Sequence, residues 1–251
     1  RMDDASLDFL SPPVTEPPRS CSYLPQETAS LVYRISPGLS TSALAELLQR
    51  GWRRHGCHLF RPACTDCTQC RSLRVNVAGF RGSKSQRRCL RRNRDVEVKI
   101  SRPTVTLDHV RLYNAWHEDM TERRGWPPSR TTIQDYADSF LAGRWESARE
   151  MLYIRANRLI GVGLIDLVAD SLSSTYFYHD PAWRPLGPGT YSALQEIELC
   201  RRTDRPYCYL GYFIADCASM SYKARFRPHQ ILAQYVADDE QPEWRDAERD
   251  E

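Results

Sequence analysis

No stretch of this chain approaches the roughly 18 consecutive apolar residues that a membrane-spanning helix requires, so no span is expected. The first twenty residues lack the basic-then-apolar pattern of a secretory signal, and no segment recurs at a fixed period. Export and repeat architectures are set aside, and the cytoplasm is the expected compartment. The most informative shortage is local. Between Leu47 and Arg94 the only acid is Asp66, against thirteen Lys and Arg residues. That window carries +12 and leaves the remaining chain at −9, although the whole is only +3. A basic lobe on an acidic body implies a polyanionic partner that docks on one region.

The 251 residues suffice for one large domain or two modest ones, with ordinary charged (27%) and hydrophobic (41%) fractions for a folded soluble chain. Residues 1–20, rich in Pro, Ser and Asp, read as a flexible arm. Ser40 or Thr41 is placed to cap a helix whose Leu44, Leu47 and Leu48 share a face and which Gly51 ends. Leu73 to Val77 alternates as a half-buried strand, and Ser101 to Pro103 reads as a boundary. Thr106 is placed to cap a helix carrying Val110, Tyr113, Trp116 and Met120, with Gly125 as its stop. Thr132 with Asp135 resembles a capping box opening a second helix through Tyr136 and Phe140. Strand-like runs follow at 151–155, 159–168 and 174–178, then a helix from Thr190 to about Arg202 and a strand at Tyr207–Phe213.

The expected class is α+β. A smaller basic, cysteine-containing N-terminal domain (21–103) precedes a transferase domain (104–237) whose element order is that of the GNAT acyltransferase fold. An acidic tail occupies 238–251.

Four features carry chemistry. The loop from Arg184 to Thr190 has Gly187 and Gly189 two apart where a helix opens, which suits close approach of a phosphate to free N–H groups. A plain Gly/Pro connection that caps the helix fits the same spacing. Nine cysteines, with no export signal, point to reduced thiols. Cys64, Cys67 and Cys70 stand at i, i+3 and i+6, and Cys21 or Cys57 makes a fourth ligand for a structural zinc or an iron–sulfur cluster. Buried small thiols are the alternative. From Arg81 to Arg94 seven cations fall in fourteen residues with no acid, a pattern favouring a nucleic-acid backbone over a solvated face of mixed sign. Finally, Tyr222 and Lys223 stand beside Arg225 and Arg227.

These pieces together resemble the arginyl/leucyl-tRNA–protein transferase family. The resemblance rests on Tyr-Leu-Gly-Tyr at 209–212, on Cys217, Met220, Tyr222 and Lys223, and on Arg225 to Pro228. Phe177 to Pro181, the Leu186–Gly187 loop and Tyr191 to Ile197 fit as well. In the N-terminal half Cys21 to Pro25, Gly51 to Arg54, Phe60 to Pro62 and Lys84 to Arg88 are similar to the bacterial branch, so the likeness runs from about 21 to 235. Two positions depart from the pattern. Cys57 replaces a small polar residue, and Leu24 stands where eukaryotic relatives carry a second cysteine, so a metal site would be assembled differently from theirs.

The resemblance implies transfer of leucine from charged tRNA to the N-terminal Asp or Glu of acceptor proteins, marking them for degradation, with arginine as the alternative donor. An acetyl-coenzyme A enzyme on the same fold and a non-catalytic RNA-binding module are the rivals. Ester aminolysis requires no cofactor and no energy source beyond the charged tRNA. On that reading Lys84, Ser85, Arg91, Arg92, Gly187, Gly189 and Thr190 hold aminoacyl-tRNA. Arg87, Arg88 and Lys223 receive the acceptor's acidic side chain, and Asp166, Tyr178, Tyr222 and Lys223 serve the chemistry.

Overall fold

Residues 10–247 are described by this computed structural model. The first nine residues of the expected arm, and 248–251 of the acidic tail, lie outside that range. The remainder of the arm takes part in ladders: β1 (Val14–Thr15) pairs with β4 (Leu31–Ile35), and β2 (Arg19–Ser20) with β3 (Thr28–Ala29). Two-residue ladders leave no periodicity in sequence, so composition alone shows only a loop there. β4 continues into an antiparallel sheet with β5 (Arg53–His55) and β6 (His58–Pro62), in the order β1-β4-β6-β5.

Helix α1 (Thr41–Gln49) links β4 to β5 and follows the expected pattern. Ser40 caps it by accepting from the Ala43 N–H, and Leu44, Leu47 and Leu48 are buried. Gly51 then turns the chain with φ +82°; a Cβ there would meet the Tyr235 ring at 2.3 Å. That turn aims Arg53 and Arg54 of β5 inward, where both are buried.

The larger sheet has eight strands. It contains β7 (Arg71–Asn76), β8 (Glu97–Ser101), β9 (Ala148–Arg155), β10 (Arg158–Leu167), β11 (Ser171–His179), β12 (Tyr207–Phe213), β13 (His229–Leu232) and β14 (Trp244–Asp246). Their order is β14-β13-β7-β12-β11-β10-β9-β8. Strands on both sides of Ser101–Pro103 therefore share one sheet, with β7 lodged between β12 and β13. Ala156 and Asn157 join β9 to β10 with φ of 47° and 58°, the double positive-φ turn that matches strand twist. Every neighbouring pair is antiparallel except β11 and β12, which are parallel.

Helix α2 (Lys84–Arg92) is the basic run. Helix α3 (Leu107–Arg124) starts at the Thr106 cap and stops at Gly125 in the left-handed region. The Thr132–Asp135 capping box opens α4 (Ile133–Tyr136), which continues as a π-helical turn over Ala137–Leu141. Beneath α3 the rings of Tyr113, Trp116, Tyr136, Phe140, Tyr176 and Tyr178 pack edge-on or tilted around each other. Helix α5 (Pro188–Arg202) crosses the opposite core, burying Tyr191, Leu194, Ile197 and Cys200.

One buried polar group ties α3 to the sheet. Glu150 of β9 accepts from Ser101 Oγ (3.0 Å), Thr104 N (3.2 Å) and Thr104 Oγ1 (3.0 Å), and lies 3.2 Å from His109 Nε2. Burial pushes its proton affinity up, but the His109 and Thr104 hydrogen bonds outweigh this and hold the carboxyl below its usual value. A carboxylate with a depressed folded pKa contributes stability above its unfolded value and loses it as pH falls through the folded one. Glu150→Gln is expected to cost about 2–3 kcal/mol in urea unfolding at pH 7. The difference from wild type should shrink below the ordinary carboxylate range; a pH-independent difference would contradict this assignment.

Candidate active site

The basic run and the glycine loop, about a hundred residues apart in sequence, meet in space. A reciprocal Ser83–Gln86 capping box starts α2, and Gln86 Nε2 reaches Arg225 O at 3.1 Å. At the other end of α2, Asn93 Nδ2 donates to Leu186 O (3.0 Å) and Asn93 Oδ1 accepts from Trp183 Nε1 (2.7 Å). These bonds clamp the 3₁₀ turn Pro181–Leu186, which stands between β11 and the glycines where the sequence suggested a plain loop. Gly187 (φ +72°) then sends the chain into α5, with Pro188 at the first position. The N–H groups of the first turn, Gly189 and Thr190, have no partner within the helix, and Pro188 has none to satisfy.

A cavity of about 280 Å³ opens at this point. Arg88 and Arg92 of α2, Arg184, Gly187, Thr190 and Arg225 line it, together with Ser85 and Tyr222, and no acid does. Arg184 is paired with Asp119, whereas the other three guanidiniums face a space that suits an anion. Six expected site residues are thus brought together: Ser85, Arg88, Arg92, Gly187, Thr190 and Tyr222. Burial pushes the Tyr222 hydroxyl up to about 12, so it is a neutral donor. Lys84, Arg87 and Arg91 are exposed on α2 away from the lining, and the Arg87 guanidinium turns back to Gly82 O. Gly189 borders open space, with nothing within 4 Å of an added Cβ.

Deeper along α5 lies a second set of charges. The parallel β11–β12 pairing runs only from Ser171–Tyr207 to Ser173–Tyr209, and no pairing continues past it. Beyond that point Ser174 of β11 accepts from Arg53 Nη2 through its carbonyl and donates its hydroxyl to Glu196 Oε1 at 3.0 Å. From the other strand Tyr212 O accepts from Lys223 Nζ at 2.7 Å. Gly211, at the register shift of β12 against β7 (φ +96°), makes room: a Cβ would lie 3.4 Å from Lys223 Nζ and 3.5 Å from Arg53 Nη2. Arg53, Glu196 and Lys223 are 7%, 2% and 8% exposed. Arg53 Nη1 and Glu196 Oε2 are buried without a hydrogen-bond partner. Burial raises Glu196 to about 7 against the pull of Ser174 and Arg53, and burial with the neighbouring Arg53 cation lowers Lys223 to about 7. Six residues of helix separate Thr190 from Glu196, or ~9 Å, and Tyr222 of the cavity lining is followed in the chain by Lys223 of the charge cluster.

The profile of the arginine-tRNA-protein transferase C terminus matches residues 108–233, and that of its N terminus matches residues 19–88. The chain belongs to this family. An aspartate/glutamate leucyltransferase of Helicobacter hepaticus is 35% identical over 224 residues, covering 89% of this chain and 93% of its own length. The protein of the same name from Aeromonas hydrophila is 36% identical over 222 residues, covering 87% and 90%. Among solved structures, L-PGS from Bacillus licheniformis aligns with a TM-score of 0.48 and 11% identity, over 71% of this chain and 58% of that one. FemX aligns at 0.40 and 9%, over 77% and 78%.

Within this family member, three expected roles meet a different geometry. Asp166 was expected to orient an amine, but its oxygens are taken by a bidentate contact from Arg54 (2.9 Å each), by Ser147 Oγ (2.8 Å) and by Thr175 Oγ1 (3.3 Å). It is 1% exposed and acts as a strut between β5 and β10. Tyr178 is fully buried in the aromatic cluster, its hydroxyl 2.7 Å from that of Tyr136 and absent from the cavity lining. The thiols of Cys21, Cys64 and Cys67 lie near enough to Cys70 to raise its proton affinity. Among the described residues no group of three or more His, Cys, Asp or Glu is placed to hold a metal ion. Cys21 Sγ accepts instead from Tyr23 N and Leu24 N, Cys64 Sγ bonds Ser30, and burial pushes the Cys70 thiol up to about 12. Spacing alone brought these thiols near each other without giving them ligand geometry.

Two residues escaped the sequence reading. Arg53 and Glu196 fall inside the segments that carry the family likeness, at Gly51–Arg54 and Tyr191–Ile197, yet neither was singled out. A signal existed for Glu196: it stands on the helix face of Ser192 and Leu199, three or four residues from apolar positions, where a charge needs a partner.

Proposed function

We propose that this protein transfers leucine from charged tRNA to the N-terminal Asp or Glu of acceptor proteins, marking them for degradation. The observation that carries the reading is one helix with two features along it: an acid-free arginine cavity at the start of α5 and, further along, buried charges where β11 and β12 part. The parallel pair, its parting and the glycine turn into α5 support a GNAT-like acyltransferase reading of 104–237. The segment 21–103 contributes α2, β5 and β7 to the same site.

In this account the cavity holds the phosphates of the tRNA 3′ end. Arg92, Ser85, Gly187 and Thr190, which line it, make the contacts to these phosphates, with Gly189 beside them and Lys84 and Arg91 reaching the more distant backbone. Arg88 lines the cavity and joins the tRNA contacts, while Arg87 lies outside it. The aminoacyl ester then runs down along α5 toward Lys223. The acceptor nitrogen attacks the ester carbonyl carbon, the bond to the ribose oxygen breaks, and that oxygen takes a proton. Tyr222, neutral at physiological pH, is placed at the cavity wall to donate to the carbonyl oxygen as it gains charge. Lys223 supplies positive charge next to the acceptor. No step calls for a cofactor. Among the described residues no helix is long and apolar enough to cross a membrane, and the cytoplasm, where charged tRNA is found, is the proposed compartment.

The family profile is named for arginine, which keeps arginyl transfer to the same acceptors as a second reading; the leucyltransferase relatives favour leucine. Incubation with equal amounts of radiolabelled leucyl- and arginyl-tRNA and a Glu-starting acceptor separates the two. Label from leucyl-tRNA alone is expected, and label from arginyl-tRNA alone would reassign the donor.

A further inference from the structure

Arg53 and Glu196 present an electrostatic arrangement that the tRNA cavity does not explain. Two buried cations, Arg53 and Lys223, converge on the room left by Gly211, and among the described residues Glu196 is the carboxylate hydrogen-bonded into their surroundings, through Ser174. Asp166, the other acid felt by Arg53, is already occupied by Arg54. Nη1 of Arg53 is buried and makes no hydrogen bond, although a guanidinium ordinarily satisfies its donors when removed from water. Oε2 of Glu196 is buried and equally unpartnered. One donor of a buried cation and one acceptor of a buried carboxylate, both unmet in the same cluster, suit a ligand that carries both charges. An N-terminal Asp or Glu is such a ligand, with its α-ammonium and side-chain carboxylate a few bonds apart.

We propose that Arg53 and Glu196 form the acceptor seat: Arg53 binds the side-chain carboxylate of the N-terminal Asp or Glu, and Glu196 accepts a proton from its α-ammonium. This rests on the aminoacyl-transfer reading above and names the residues of that site. The proton balance is complete. One proton passes from the ammonium nitrogen to Glu196 Oε2, leaving a neutral amine with a free lone pair. The amine forms the new C–N bond, the carbonyl–ribose C–O bond breaks, and a second proton moves from the nitrogen to the departing ribose oxygen. Glu196 returns its proton to solvent once the product leaves.

The acceptor's own carboxylate takes part in its activation. Bringing a second negative charge beside Glu196 raises its proton affinity further from a value burial already holds near 7, so it becomes a stronger base once an acidic residue is seated. An N-terminal Gln fills the same volume and offers Arg53 a carbonyl oxygen, but it brings no negative charge to the buried cation and does not strengthen the base. Selectivity and rate then come from the same contact.

The test uses the full chain, saturating leucyl-tRNA and two peptides differing only in N-terminal Glu or Gln. Wild type is expected to prefer Glu by about a hundredfold in kcat/KM, because the buried Arg53 cation gains a charge partner from Glu and none from Gln. Arg53→Gln should raise KM for the Glu peptide by at least ~30-fold, within the range for truncating one partner of a buried charge pair, with a clearly smaller loss on the Gln peptide and tRNA binding unchanged. Glu196→Gln, whose amide cannot take a proton, should lower kcat on the Glu peptide by ~100-fold with KM unchanged or lower, because both cations lose their internal carboxylate. Equal losses on the two peptides in Arg53→Gln, or a raised KM with intact kcat in Glu196→Gln, would overturn the seat. If Arg53→Gln does not fold, Arg53→Lys keeps the charge but removes the free Nη1. A raised KM confined to the Glu peptide then supports the proposal, and an unchanged KM removes it. Absence of transfer by wild type to either peptide would instead strike the functional reading itself.

Discussion

Asp166→Ala should destabilise the fold by about 3–5 kcal/mol while leaving transfer per folded molecule within a few-fold of wild type. The reason is the company Asp166 keeps. Arg54, 5% exposed at its side chain, makes both its Nε and Nη2 contacts to this carboxylate and a third bond from Nη1 to Gly56 O. Its guanidinium also stacks over Trp145 at 4.7 Å. Removing the carboxylate leaves a cation in the core with only a backbone carbonyl to meet it. Asp166→Asn, which keeps the shape and one of the two acceptor oxygens, should cost less. Urea unfolding with activity normalised to the folded fraction separates the roles: a normal midpoint with activity lost would return Asp166 to the chemistry.

The second large effect is expected at the cavity. Arg92→Glu combined with Arg225→Glu places two negative charges where the tRNA phosphates are proposed to lie, from two different helical elements. Binding of leucyl-tRNA should fall by ~100-fold or more near physiological salt, and the slope of log affinity against log salt should drop by about 2. Arg91→Glu, on the same helix but exposed and outside the lining, is the matched control and should change affinity less than tenfold. Equal losses from Arg91 and from the cavity pair would mean that α2 acts as a diffuse basic face and the cavity is not the phosphate site.

Local rules carried much of the architecture. The Ser40, Thr106 and Thr132 caps, the Gly51 and Gly125 stops, the Ala156–Asn157 turn and the Tyr207–Phe213 strand are all dictated within a few residues. What stayed hidden is non-local. The two-residue strands β1 to β3 exist only because partners are brought to them, and nothing near β7 tells that it will lie between β12 and β13. The site divides the same way. Arg88, Arg92, Gly187 and Thr190 announce themselves by runs of charge and glycine, so they were found before they were seen together. Arg53 and Glu196 are single charges in otherwise unremarkable segments. Their meaning appears only when a glycine bulge and the parting of two strands place them in a core with unmet hydrogen bonds. The cysteine cluster is the converse case, a conspicuous pattern in which the Cys21 and Cys64 sulfurs meet backbone groups and, among the described residues, no three ligands are placed around one ion.

The central claim is that this protein joins leucine to an acidic N-terminus. Intact-mass analysis of a Glu-starting acceptor after incubation with the protein and leucyl-tRNA tests it most directly, with an Ala-starting twin in the same tube. The account predicts one added leucine residue, located at the N-terminus by fragmentation, on the Glu acceptor alone. Addition to both acceptors, or to neither while the protein is folded and binds leucyl-tRNA, would contradict it.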